Sequence, residues 1–191
     1  MGEVIHQVSE ATGYEAVLVT DVGQNQVMSA RYFRFSKTRS IVTSGGLGTM
    51  GFGLPASIGA KIGAPERTVC LFVGDGGLQM TLQELGTIMQ ENLNIKIILL
   101  NNHYLGMVRQ WQELFFKERY SFTIMENPDF VGIAKAFKMG ARKVEKREEL
   151  TDAIREMLTY PGAYLLVADV EKHGRVYPMV PAGGCISNMI Y

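Results

Sequence analysis

The sequence predicts an α/β domain: a doubly wound, mostly parallel six-stranded sheet with helices on both faces. Three observations carry this. Short apolar runs suited to strands alternate with helix-length segments along the whole chain, the pattern of repeated βαβ units. The runs are apolar almost throughout, as strands covered on both faces are. Four of them run into polar and glycine-rich ends: Asp21-Val22-Gly23-Gln24, Ser44-Gly45-Gly46, Gly74-Asp75-Gly76-Gly77 and Asn101-Asn102. Parallel strands would gather these ends on one rim, where open α/β folds bind ligands.

In order, a helix is expected over 3–11 and a strand over 16–20, ending at Asp21. A short strand spans 41–43. Residues 48–62 are rich in glycine and alanine and read as a helix packed closely under the sheet, its amino end near a ligand. A strand over 69–73 precedes a helix over 78–91, where Leu78, Leu82, Leu85 and Met89 recur at helical spacing and form one apolar stripe. The strand over 95–100 leads to Asn101-Asn102, and an aromatic helix follows over 107–117. Asn127-Pro128-Asp129 reads as a helix start, with Asn127 as the cap, Pro128 in first position and an acid in the first turn. That helix is expected to bury Phe130, Ile133, Ala134 and Phe137. A short strand begins at Met139, a helix carries Leu150, Ile154 and Leu158, and the last strand covers 164–168. No linker, repeat or low-complexity stretch interrupts this, so residues 1–191 form one domain.

Composition narrows the function. Hydrophobic residues make up 47% and charged residues 20% of the 191 residues, an ordinary globular balance. Basic and acidic residues number 19 each, so nothing points to nucleic acid. The interleaved Arg31, Tyr32, Phe33, Arg34 and Phe35 read as a packed or subunit-facing loop rather than a stacking surface. The apolar runs are far shorter than a membrane span. Cys70 lies inside a strand and Cys185 near the end, which argues against a disulfide and for a reducing, cytoplasmic setting. A helix beginning directly after Met1-Gly2, with no signal peptide, reads as the start of a truncated or engineered chain. His103 and His173 sit in no metal-ligand spacing.

The sharpest feature is the pair Asp75 and Asn102. They follow adjacent parallel strands joined by one helix, so both emerge at the same edge of the sheet. A carboxylate and an amide oxygen are hard ligands of the kind Mg²⁺ takes alongside phosphate oxygens. The glycines beside Asp75 let backbone approach a phosphate. Taken singly, Asp-Gly is turn chemistry and Asn-Asn a helix cap; together they read as a magnesium–diphosphate site. No Gly-Lys-Ser/Thr follows the strand, and 74–79 lacks the third glycine of a dinucleotide fingerprint.

The GDG…NN pattern resembles the diphosphate signature of thiamine diphosphate enzymes. More specifically, Thr20-Asp21-Val22-Gly23-Gln24, Thr43-Ser44-Gly45-Gly46-Leu47-Gly48, Met50-Gly51-Phe52-Gly53-Leu54-Pro55-Ala56, Leu105-Gly106-Met107-Val108, Gln110-Trp111 and Pro181-Ala182-Gly183-Gly184 resemble acetolactate synthase large subunits. The resemblance runs from about 13 to 184 and covers the carboxyl-terminal third of such a subunit, the domain that anchors the diphosphate. It implies the thiamine diphosphate-binding fold, with thiamine diphosphate and Mg²⁺ as cofactors and FAD in the full-length enzyme, held mainly by an absent domain. Asp75 and Asn102 would ligate Mg²⁺ by side chain and Tyr104 by its carbonyl. Gln24, Asn25, Gly74, Gly76 and Gly77 would contact the diphosphate. Gly48 and Met50 would hold the aminopyrimidine. Met107 and Val108 would border the thiazolium, Leu105 and Gly106 would also belong to the cofactor-binding surface, and Trp111 would line the substrate channel. Many relatives carry His where Asn25 stands, Ser where Gly77 stands and Met-Trp where Val27-Met28 stands.

The activity this implies is decarboxylation of pyruvate and condensation with a second pyruvate or with 2-oxobutyrate, on the route to branched-chain amino acids. Expected partners are small 2-oxo acids, the rest of the large subunit, a second copy of it and a regulatory small subunit. No catalytic residue is expected in this chain, because the family's activating glutamate belongs to the absent pyrimidine domain; the chain alone is expected to be inactive. Another thiamine diphosphate-dependent 2-oxo acid decarboxylase or carboligase is the alternative, against which Gln110-Trp111 and the terminal Pro-Ala-Gly-Gly argue. A non-enzymatic phosphate-binding domain is a more distant one.

Overall fold

A computed structural model describes all 191 residues. Fourteen elements follow in order: α1 (Gly2–Ala11), β1 (Val17–Thr20), α2 (Gln24–Tyr32), β2 (Ile41–Val42), α3 (Gly53–Gly63), β3 (Val69–Gly74), α4 (Asp75–Met80), α5 (Leu85–Gln90), β4 (Ile95–Asn101), α6 (Gly106–Phe115), α7 (Phe130–Ala136), β5 (Gly140–Val144), α8 (Leu150–Thr159) and β6 (Tyr164–Asp169). The six strands form one sheet in the order β2-β1-β3-β4-β6-β5, and every pairing is parallel. The expected fold class stands, with no antiparallel strand.

Alternate residues of the central strands feed two separate cores. Leu18, Cys70, Phe72, Ile98, Leu100 and Leu166 pack with α1 and α8. Val17, Val19, Leu71, Val73, Ile97, Leu99 and Val167 pack with α3, α4, α5 and α7. With both faces covered, β3 and β4 have no wet side, which is why their sequences read as apolar runs, broken in β4 only by Lys96. From β1 the chain moves outward to β2, then returns to the other side of β1 as β3. This is a topological switch point, with its crevice at the carboxyl ends of β1 and β3.

Three local expectations need correction. The helix expected over 78–91 is two helices: Thr81 leaves helical geometry (φ −132°, ψ 26°), and a 3₁₀ turn, Leu82–Glu84, separates α4 from α5. The Thr81 hydroxyl donates to the Gly51 carbonyl at 2.9 Å, so a tertiary bond wins over helix continuation. The break shifts the phase: Leu85 and Ile88 are buried, whereas Met89 is 40% exposed. The helix expected from 48 begins at Gly53. Gly51 takes a φ of +91°, which only glycine adopts readily. The buried Asp21 carboxylate accepts from the amides of Gly51 (3.1 Å) and Gly53 (2.7 Å), so the amino end of α3 is satisfied by the protein itself. Finally, Asp129 and not Asn127 caps α7, its side chain accepting from the Gly132 amide at 3.0 Å. Along α7, Phe130 and Ala134 are buried, while Ile133 and Phe137 are half-buried against the same core.

A candidate cofactor site at the sheet's carboxyl edge

β3 and β4 pair in register from Val69↔Ile95 to Gly74↔Leu100, so Asp75 and Asn102 leave neighbouring strands within a residue of the same level. Between them lies a cavity of about 210 Å³. Its lining includes thirteen of the sequence-expected residues: Gln24, Asn25, Met50, Gly74, Asp75, Gly76, Gly77, Asn102, Tyr104, Leu105, Gly106, Met107 and Val108. Gly48 and Trp111 are not in the lining. Gly48 lies in the exposed turn before α3, and Trp111 is 39% exposed on α6, its ring 4.9 Å from that of Phe115. Sequence reasoning did not single out Val22 and Leu100 as lining residues; both follow from their places at or beside the ends of β1 and β4.

Asp75 is 1% exposed. Its Oδ1 accepts from the Gly76 amide at 3.0 Å and its Oδ2 from Asn127 Nδ2 at 2.7 Å. Burial pushes its carboxyl above the usual carboxylate range; donation by Asn127, Gly76 and the His103 backbone, with the His103 charge, works against that shift. Its direct hydrogen-bond donors, Gly76 and Asn127, are uncharged, so a bound cation would favour the ionised form that burial disfavours. Asn102 is also buried. Its Oδ1 accepts from the Tyr104 amide at 3.1 Å and its Nδ2 donates to Gln24 Oε1 at 3.3 Å. That bond fixes which end of the amide is oxygen and leaves Oδ1 with a second lone pair.

Three residues expected at the diphosphate already have partners within the protein. Gln24 donates to the Gly174 carbonyl at 2.8 Å and to Gln110 Oε1 at 3.4 Å, so it braces Asn102 rather than offering a donor to the cavity. Gln110 in turn donates to the Val176 carbonyl and accepts from the Val176 amide, tying the carboxyl-terminal segment to this brace. Asn25 donates one of its two amide hydrogens to the Val22 carbonyl at 2.8 Å; its buried Oδ1 has no partner. It borders the cavity with one amide hydrogen uncommitted. The Gly76 amide likewise faces the Asp75 carboxylate, which leaves Gly77 as the neighbouring amide for a diphosphate.

Gly106 shows how closely this site is packed. A Cβ there would stand 2.7 Å from Gln24 Cδ and 2.8 Å from Asn102 Nδ2, and closer still to Gln24 Oε1. Asn127, expected as a helix cap, is the residue that sequence reasoning misplaced. Asp129 alone suffices as the cap, and that redundancy was the only sign that the Asn127 side chain was free for other work.

A single carboxylate beside an amide oxygen is a poor metal cage by itself. No group of three or more His, Cys, Asp or Glu side chains is placed to hold a metal. The donor set fits a Mg²⁺ that completes its octahedron with phosphate oxygens and water. Residues 21–168 match the family described as thiamine pyrophosphate enzyme, C-terminal TPP binding domain. The chain belongs to that family. It is 43% identical over 188 residues to the acetolactate synthase isozyme 2 large subunit of Escherichia coli, covering 98% of this chain and 34% of that protein. It is 44% identical over 182 residues to the acetolactate synthase large subunit of Lactococcus lactis, covering 95% and 32%. Against the chloroplastic acetolactate synthase 2 of Nicotiana tabacum it is 43% identical over 194 residues, covering 97% and 29%. The chain thus spans about a third of the length of these curated relatives. No helix in this thiamine pyrophosphate-binding domain is long and apolar enough to cross a membrane.

Proposed function

We propose that the cavity binds Mg²⁺–thiamine diphosphate and that residues 1–191 are the diphosphate-anchoring domain of an acetolactate synthase large subunit. The observation that carries this is the meeting of Asp75 and Asn102, both buried, in one cavity at the carboxyl edge of β3 and β4. In this reading Asp75 and Asn102 ligate Mg²⁺ by side chain, with the Tyr104 carbonyl as a third protein ligand. Gly77 offers its amide to the diphosphate. Met50 and Leu105 crowd Gly76, where a Cβ would meet Met50 Cε at 2.9 Å and Leu105 Cδ2 at 2.6 Å; they form an apolar wall over the polar floor. Met107 and Val108 continue that wall. When bound, thiamine diphosphate supplies the carbanion chemistry, and the protein supplies placement and a low-dielectric setting.

The whole subunit then decarboxylates pyruvate and joins the retained two-carbon unit to pyruvate or 2-oxobutyrate, in branched-chain amino acid synthesis. Trp111 and Gly48, exposed and outside the cavity lining, complete their roles only against the pyrimidine and central domains, the latter holding FAD. A second copy of the subunit, a regulatory subunit and a cytoplasmic location belong to the same reading. Calorimetric titration tests it. Thiamine diphosphate should give heats that depend on Mg²⁺, that ATP does not reproduce, and that Asp75→Ala abolishes. Unchanged Mg²⁺-dependent heats in Asp75→Ala would refute the site.

A further inference from the structure

We infer that Asn127 is a positioning residue for the metal site: it holds the Asp75 carboxylate in its ligating orientation through a direct, uncharged hydrogen bond. The inference rests on the reading of Asp75 as a Mg²⁺ ligand. Asn127 lies in the loop before α7, 52 positions along the chain from Asp75, and is half-buried. Its Nδ2 reaches Asp75 Oδ2 at 2.7 Å and Asn101 Oδ1 at 2.8 Å, so both amide hydrogens are used. Its Oδ1 accepts from Gln79 Nε2 at 3.0 Å, which fixes the amide against flipping. Gln79 also donates to the Asp75 carbonyl at 3.3 Å, and Asn101 Nδ2 donates to Asp169 Oδ1 at 2.7 Å. The Asp75 carboxylate is therefore gripped at both oxygens, by Gly76 from its own helix and by Asn127 from across the sheet edge.

The chemistry of the donor matters. A lysine or arginine at 127 would also orient Asp75, but as an ion pair it would neutralise the charge a cation needs. An amide orients without neutralising. Nor does Asn127 serve the fold in the way its sequence setting suggests, since Asp129 caps α7 alone. Partners that hydrogen-bond a metal-ligating carboxylate are commonly worth about 10–100-fold in metal affinity.

Mn²⁺ is the probe, titrated into the chain with saturating thiamine diphosphate and followed by the electron paramagnetic resonance of free Mn²⁺, with the thermal midpoint of each metal-free variant measured beside it. Asn127→Leu, similar in size and without donors, should weaken Mn²⁺ binding by about 10–100-fold. Asn127→His restores one ring N–H near the position of Nδ2, with room for the ring in the adjoining cavity of about 300 Å³. It cannot reproduce the bonds to both Gln79 and Asn101. It should recover most of the lost affinity, a rescue that a purely structural role would not give. Equal weakening in Asn127→Leu and Asn127→His, or parent-like affinity in Asn127→Leu, would overturn the inference. Should Asn127→Leu lose its cooperative melting, Asn127→Ser, too short to reach Asp75, takes its place under the same criteria. Asp75→Ala separates this inference from the reading beneath it. If that variant binds Mn²⁺ like the parent, the ligand assignment falls and the inference with it. If it loses binding while Asn127→Leu keeps it, only the role of Asn127 falls.

Discussion

Gly106→Ala should destabilise the protein and loosen the metal site, although alanine is the better helix former. Gly106 opens α6 and has no positive φ, so its backbone accepts a side chain. The added methyl would stand 2.7 Å from Gln24 Cδ and 2.8 Å from Asn102 Nδ2. Neither side chain can swing clear: Gln24 is pinned to Gly174 and Gln110, and Asn102 to Tyr104. Forcing atoms into such a packed site typically costs about 1–3 kcal/mol. The gain from replacing glycine in a helix is at most about 1 kcal/mol, and smaller at a first position. The net loss is therefore about 1–2 kcal/mol, a fall of roughly 2–8 °C in melting temperature for a domain of this size. Gly59→Ala is the matched control. Gly59 lies inside α3 with nothing within 4 Å of its would-be Cβ, so alanine should add about 0.5–1 kcal/mol. Differential scanning calorimetry reads both. Mg²⁺-dependent binding of thiamine diphosphate should drop about tenfold or more in Gly106→Ala, which disturbs a ligand brace of the kind worth 10–100-fold, and stay unchanged in Gly59→Ala. If Gly106→Ala melts higher than the parent and binds as well, the rigid bracing of Asn102 by Gln24 is wrong.

Lys96 is 3% exposed on β4 and donates to the Tyr160 and Gly162 carbonyls, and burial pulls its ammonium down to about 8. Between that value and the ordinary 10.5 the unfolded chain holds the proton more tightly, so stability relative to Lys96→Met should rise as pH goes from 7.5 to 9.5; urea midpoints that show no such rise would refute this. The chain alone should make no acetolactate from pyruvate with Mg²⁺, thiamine diphosphate and flavin, because Asp21 is buried under Gly51 and Gly53 and Asp169 is paired with Asn101 and Lys143. A colorimetric acetoin assay showing turnover that Asp75→Ala removes would place a proton-transfer group in this domain. Trp111, Phe115, Phe116 and Phe122 are exposed, so self-association is expected in sedimentation; a strictly monomeric profile at high concentration would count against it.

Most of the fold was legible because its determinants are local. The runs that became β3 and β4 could be nothing but strands buried on both faces, and the polar ends of neighbouring strands told which edge would bind. Helix continuity was not legible. The pattern Leu78, Leu82, Leu85, Met89 is a sound helical stripe, and nothing in it reveals that the Thr81 hydroxyl will find the Gly51 carbonyl 30 positions earlier. The site showed the same division. Asp75 and Asn102 announce themselves by their own chemistry and their places after strands. What Gln24, Asn25 and Asn127 do depends on amides whose partners lie up to 150 positions away, and no spacing rule encodes such partners. Gln24, expected at the diphosphate, bonds Asn102, Gly174 and Gln110; Asn127, expected as a helix cap, bonds Asp75.

The register of β3 on β4 has a consequence for motion. The spacing of Asp75 and Asn102 is set by a parallel ladder six pairs long between two fully buried strands. Those amides should exchange with solvent only through global unfolding, since no smaller opening frees them. The strand ends that carry Asp75 and Asn102 should then keep their spacing until the protein unfolds. A ligand entering or leaving would be accommodated at the opposite wall, where the Gln24 and Gln110 side chains hydrogen-bond α2 and α6 to the carboxyl-terminal segment. Rigidity on the Asp75 side and compliance on the other would thus be divided between strands and side-chain amides.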